Sequence, residues 1–337
     1  MREKNYNIEL IRTISFIAVV VIHVTNYFCR AYGIISVGEY GFALILDTFS
    51  RVSVPCFFMI TGALLLGREE TLKKNGKRIL HFLTALIFWS LIYYAHNVYY
   101  MKTDVDLMAL LYKPAEPHLW YLYATVPIYF VLPFFQVMCK GMNTTLVKAF
   151  LLLGAVDVTL MYVLSFLGEE LYYDVPVFGD RVYAYYFFLG YFIYQYKDRM
   201  PLRNRTLFGM FIGSNVLNLL MTAGISYRAG EHYERLLEYG CPLVIISSAS
   251  FFLLMLRLKA GNVQLKPLTK KIVDQWCACS FGIYLIHILL LDNYKKYIVA
   301  EAISAWIAIP ALVLLLLAAS FGCVFLIRKI PGGKKIT

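Results

Sequence analysis

Ten long blocks of almost uninterrupted apolar sequence constrain this chain more than any other feature. They lie at 8–29, 42–66, 79–100, 119–138, 146–167, 182–196, 207–225, 241–256, 276–291 and 303–327. A helix rising ~1.5 Å per residue needs roughly 18 such residues or more to cross about 30 Å of hydrocarbon. In that medium every backbone N–H and C=O needs an internal partner, so each block is predicted to be helical. The strands of a membrane barrel would alternate over about ten residues, and these blocks do not alternate. The sixth and ninth blocks are short and are expected to be tilted, partly re-entrant or extended at their ends. Only 16% of the residues are charged, where soluble chains average about a quarter. No internal repeat, low-complexity linker or polar domain separates the blocks. The expected architecture is therefore an all-α polytopic bundle of about ten transmembrane helices. It forms one membrane-embedded domain over 1–337 with no soluble extra domain. The first block carries Glu9 and Arg12 within it and no small-residue cleavage site behind it, which predicts a retained helix rather than a signal peptide.

The distribution of charge sets an expected orientation. With both ends of the chain cytoplasmic, 22 of the 32 Lys and Arg fall in cytoplasmic segments and eight in the opposite ones. The opposite segments instead hold acids such as Asp106, Glu169, Glu170, Glu231 and Glu234. The net charge of +11 then reads as topology plus attraction to anionic lipid heads. The bilayer is an expected partner and nucleic acid is not. Seven cysteines without paired ligand spacing predict buried free thiols and no metal.

Polar residues inside the blocks carry the functional signal, because burying an ionisable group in lipid is costly. Arg12 and His23 are eleven residues apart, which places them on one helical face about 16 Å apart along the axis. Glu9, at i−3, can pair with Arg12. Arginine binds phosphate through its planar fork, and histidine is the usual base near neutral pH. The plainer reading makes His23 a helix-packing residue and lets Arg12 snorkel to the interface. Arg51 can meet a substrate or simply pair with Asp47 at i−4. His118 and Trp120 can orient an acceptor and stack on a sugar ring, or belong to an interfacial aromatic belt. His287 has helix packing as its plain alternative. Asp157 stands alone in the fifth block with no assigned role.

Four segments in order resemble one family. They are Asn7-Ile8-Glu9-Leu10-Ile11-Arg12 running on to His23; Ser50 to Gly62 with Phe57-Phe58-Met59-Ile60-Thr61-Gly62; His118-Leu119-Trp120-Tyr121-Leu122; and Phe281-Gly282-Ile283-Tyr284-Leu285-Ile286-His287. They are similar to the acyltransferase-3 family of integral membrane acyltransferases. Thr61 stands where Ser is usual in that family. Pro55 occupies a place where many polysaccharide-modifying members carry Asp. The Val54-Pro55 pair resembles the branch that includes O-acetyltransferases and the membrane domain of serine racemases.

The resemblance implies a multi-pass cell-membrane enzyme of O-acetylation. It would move acetyl from cytoplasmic acetyl-CoA to a hydroxyl of a glycan, lipid-linked or cell-envelope acceptor. It further implies that His23 is the catalytic base and that Arg12 assists donor binding; Glu9, Arg51, His118, Trp120, Tyr121 and His287 are the candidate substrate-binding residues. The rival expectation is a transporter or flippase that uses the same polar residues to pass a solute. Dependence on an acyl-CoA separates the two.

Overall fold

The computed structural model describes residues 5–337 apart from 104, 173, 174, 176–181, 259–266, 296, 298, 299 and 301. Arg181, Lys259, Lys266 and Lys296, which enter the charge count, lie outside the described residues, as do Arg2 and Lys4. Among the described residues all regular structure is helical. The helices are α1 (Tyr6–Cys29), α2 (Val37–Ser50), α3 (Ser53–Leu65), α4 (Leu72–Ala95), α5 (Trp120–Gly141), α6 (Thr144–Leu167), α7 (Tyr183–Tyr196), α8 (Asn204–Ala229), α9 (Pro242–Leu256), α10 (Pro267–Lys295) and α11 (Ala305–Ile327). Nine spans among the described residues are long and apolar enough to cross a membrane. The protein is thus a polytopic helical bundle.

The second block departs from its expected outline, and the two short blocks take definite lengths. The second is two helices, α2 and α3, joined at Arg51 and Val52. Pro55 has no N–H to return to the Arg51 carbonyl, so the ladder breaks there. The sixth block stays short: α7 has 14 residues, about 21 Å of helix. The ninth is longer than its apolar core, because α10 runs for 29 residues. Its ends carry Lys270, Lys271, Asp274 and Lys295, which hide helix from a hydropathy reading.

Apolar side chains face outward as well as inward. Phe134 is 74% exposed, Leu152 67% and Leu314 68%. On a soluble protein such a surface marks a docking site; around a bundle it is the surface that lipid covers.

Polar tethers fix α1 in the middle of the bundle. The Asn7 side-chain amide donates to the carbonyls of Leu256 (2.9 Å) and Leu258 (2.8 Å) and so caps the end of α9. Two close crossings explain motif glycines. A Cβ on Gly62 would lie 1.8 Å from the Phe187 carbonyl oxygen, and one on Gly190 would lie 2.2 Å from Met59 Cα. These two glycines let α3 and α7 touch backbone to backbone. A Cβ on Gly282 would meet Val324 Cγ1 at 2.6 Å, so this glycine lets the Val324 side chain of α11 lie against the backbone of α10. The seven cysteines are free thiols, and all but Cys323 are buried.

Candidate functional site

A cavity of about 870 Å³ runs beside α1. Arg12, Val19, Ile22, His23, Asn26, Tyr27 and Arg30 give it one face of that helix. The eighteen residues from Arg12 to Arg30 amount to about 27 Å, close to the full thickness of a hydrocarbon core. The other walls come from the α2–α3 joint, α3, α4, α5 and α10.

At the Arg12 end, Arg12 donates to Glu9 at 2.7 Å. Glu9 is turned toward that guanidinium and is not on the wall, so it acts on a ligand only through Arg12. Arg78 and His81, one turn apart on α4, complete this end. Arg78 pairs with Glu70 at 2.7 Å and lies 5.6 Å from the centre of the Tyr129 ring. Burial works upward on the Glu70 carboxyl, but hydrogen bonds from Arg78 and Lys74 outweigh it and hold the group below the usual carboxylate range.

Three imidazoles gather at the centre. The ring of His23 lies 5.0 Å from that of His287 and 6.4 Å from that of His118, and the latter two are 5.4 Å apart. His287 Nδ1 lies 2.6 Å from the Tyr284 carbonyl and 3.2 Å from that of Ile283. A carbonyl only accepts, so Nδ1 carries the proton and Nε2 keeps its lone pair. That Nε2 is buried without a hydrogen-bond partner. His118 is 3% exposed rather than interfacial, and its carbonyl accepts from the Tyr284 hydroxyl. Although three imidazoles meet here, no set of three ligands among the described residues is placed to hold a metal.

Trp120 and Tyr121 extend the same wall. Trp120 stacks on Tyr183 with ring centres 4.7 Å apart, so it belongs to the cavity lining and not to an outer belt. The joint between α2 and α3 brings Arg51 to the wall, where its Nη2 donates to Asp47 at 2.6 Å. Asp47 is fully buried, and the Arg51 Nε has no hydrogen-bond partner.

At the far end Arg30 pairs with Glu234 at 3.2 Å and Lys295 with Asp292 at 3.2 Å. Glu234 also accepts from the Asn26 side chain. Glu116 closes this end and accepts from Asn97 at 3.0 Å. Burial holds its carboxyl above the usual range.

The cavity wall therefore includes Arg12, His23, Arg51, His118, Trp120 and Tyr121, with His287 directly behind His23. Arg78, His81, Tyr129 and Tyr239 join it without having been singled out in the sequence, as does Tyr284, which the fourth family segment contains without a role. Arg78 is absorbed there into the topological charge count, and the tyrosines are lost among the 27 that the chain carries. Only His81, a histidine inside an apolar block, leaves a signal of its own. Asp157 lies in α6 away from this wall and accepts from the Val175 N–H at 3.4 Å.

The family model described as an acyltransferase domain, acyltransferase-3, matches residues 5–328. The chain belongs to the acyltransferase-3 family. No curated protein and no solved structure matches it significantly. As a member of acyltransferase-3 with a bundle of membrane-length helices, it is a membrane acyltransferase. The match takes in α1, with Arg12 and His23, and every helix through α11.

Proposed function

We propose that this acyltransferase moves an acetyl group from acetyl-CoA, arriving at the Arg12 end, to a hydroxyl of a glycan, lipid-linked or cell-envelope acceptor arriving at the Arg30 end. The observation that carries this reading is the cavity along α1, with a polar group at each end and an imidazole between them. The bias of Lys and Arg supports placing the Arg12 end, and both ends of the chain, at the cytoplasmic face of the cell membrane.

In this scheme Arg12, steadied by Glu9, holds the donor arm. His23 takes the proton of the acceptor hydroxyl as its oxygen attacks the thioester carbonyl. The tetrahedral intermediate collapses with cleavage of the carbon–sulfur bond. The proton then passes from His23 to the leaving thiolate, giving an ester and free CoA. His287 and His118 hold the His23 ring in place. Arg51, Trp120 and Tyr121 meet the acceptor.

The test is acetyl-CoA binding and turnover by the full chain in nanodiscs. Removal of a general base should lower turnover about 10²–10⁴-fold in His23→Ala. Arg12→Ala should raise the KM for the donor. A folded His23→Ala protein with full activity sinks the scheme. If no acyl-CoA binds the folded wild type, the same cavity is to be read as a path for a polar solute.

A further inference from the structure

Every Arg and Lys on the main cavity wall already has a carboxylate partner: Arg12, Arg30, Arg51, Arg78 and Lys295 pair with Glu9, Glu234, Asp47, Glu70 and Asp292. An acyl-CoA brings a diphosphate and a further phosphate on its ribose. Cations neutralised by carboxylates answer that charge poorly.

A second cavity, of about 440 Å³, adjoins the first and shares Ala278 with it. Arg328, Lys329 and Lys334 line it together with Gln275 and Phe325, and it has no carboxylate on its wall. Among the described residues none of these three cations pairs with an Asp or Glu side chain. Arg328 instead donates to the Thr337 main-chain oxygen at 3.2 Å, and Lys329 Nζ sits 4.5 Å from the centre of the Phe325 ring.

The chain builds this place deliberately. After α11 it reverses at Gly332, whose φ is +84°. A Cβ on Gly333 would lie 1.8 Å from the Ile327 carbonyl oxygen, so only glycine allows so tight a return. The reversal brings Lys334 to the same cavity as Lys329. The segment is pinned by Trp89, whose Nε1 donates to the Ile336 carbonyl at 2.7 Å.

We propose that this second cavity holds the phosphates of the donor's nucleotide end, with the pantetheine arm passing Ala278 into the main cavity. The inference rests on the acyl-CoA reading above. Lengths agree with it. Nine residues of α10 separate Ala278 from His287, about 14 Å of helix. Twelve bonds separate the inner phosphate oxygen of CoA from its sulfur, also about 14 Å at ~3.5 Å for three extended backbone-like bonds. A phosphate level with Ala278 therefore sets the thioester level with His287 and His23. The plainer roles for the three cations are orientation of the helices and attraction of anionic lipid heads.

The experiment uses the full chain in phosphatidylcholine nanodiscs and two probes: acetyl-CoA, and acetyl-pantetheine, which has no phosphate. The variant is Lys329→Gln with Lys334→Gln, both exposed side chains. The dissociation constant for acetyl-CoA should rise about tenfold while that for acetyl-pantetheine stays unchanged. The wild-type preference for acetyl-CoA should also shrink as salt is raised. Unchanged acetyl-CoA binding in the variant overturns the proposal and leaves the lysines a topological role. Equal loss for both probes overturns it too, as damage to the fold. Repetition with phosphatidylglycerol present separates the sources of phosphate: a variant that loses affinity for that lipid but not for acetyl-CoA makes this a headgroup site. A wild type that binds neither probe removes the acyl-CoA reading itself, a result distinct from the other three.

Discussion

Replacing Asp47 by Ala separates what holds Arg51 from what Arg51 does. The pair is buried: Asp47 has no exposed side-chain surface, Arg51 has 13%, and they meet at 2.6 Å. Thr25 also donates to Asp47, at 3.4 Å. Removing one partner of a buried pair costs about 3–5 kcal/mol, because the other charge is left without compensation. Arg51 faces the cavity on one side, where water can reach it, so the lower end of that range applies. About 3 kcal/mol is roughly a hundredfold in the unfolding equilibrium. Unfolding of the purified protein, followed by fluorescence against temperature or denaturant, measures it. Asp47→Leu with Arg51→Met removes both charges and should recover most of the loss, since a buried pair often does no better than apolar residues of like volume. The double variant then reports on function. If Arg51 touches the acceptor, it folds but turns over poorly. Two results refute the reasoning: Asp47→Ala within about 0.5 kcal/mol of wild type, or wild-type turnover by the double variant, which confines Arg51 to the joint between α2 and α3.

Gly190→Ala should destabilise by about 1–3 kcal/mol or more, because its Cβ would sit 2.2 Å from Met59 Cα and push α7 off α3. Gly213→Ala, which meets nothing within 4 Å, should be neutral or slightly stabilising in the same melting experiment. Glu116→Gln should be more stable than wild type at neutral pH, since the raised carboxyl makes the charged form costly and the glutamine oxygen can still accept from Asn97. The sign follows from linkage. The folded protein binds the proton more tightly than the unfolded chain, so wild-type stability falls as pH rises from the ordinary carboxylate value to the raised one. The advantage of Glu116→Gln should therefore appear across that window, persist above it and vanish below about pH 4, as read from melting at a series of pH values.

The sequence shows the helices through the one demand lipid makes on a backbone, that its polar groups be satisfied within the segment. That demand reveals where apolar helix must be and nothing about helix beyond the lipid, so α10 is underestimated by its charged ends. It is equally blind to the break at Arg51, because Val52, Ser53 and Val54 are as acceptable to lipid in a bent helix as in a straight one. Pro55 was the sign of that break, and it also decides where Arg51 points. On the site, α1 is legible because Arg12 and His23 fall on one face by simple helical arithmetic. Arg78 is not, because a cation at a helix end satisfies the positive-inside pattern whether or not it also lines a cavity. Tyr284 is concealed differently. Its place depends on the packing of α10 against His118, which no spacing within α10 encodes.

The pairing of the five wall cations also bears on the choice between acyl transfer and transport. A path that conducts a charged solute needs groups that exchange partners as the solute passes. Here each exchange would break an ion pair, and at Asp47–Arg51 that step alone costs about 3 kcal/mol or more. A neutral acetyl group asks for no such exchange. It needs a corridor whose charges are already balanced, a base at the point where two substrates meet, and access for each substrate from its own end. His23, beside His287 and between Arg12 and Arg30, occupies the point in this cavity that those needs single out. The balance of charge along the wall thus favours chemistry at its middle over passage from end to end.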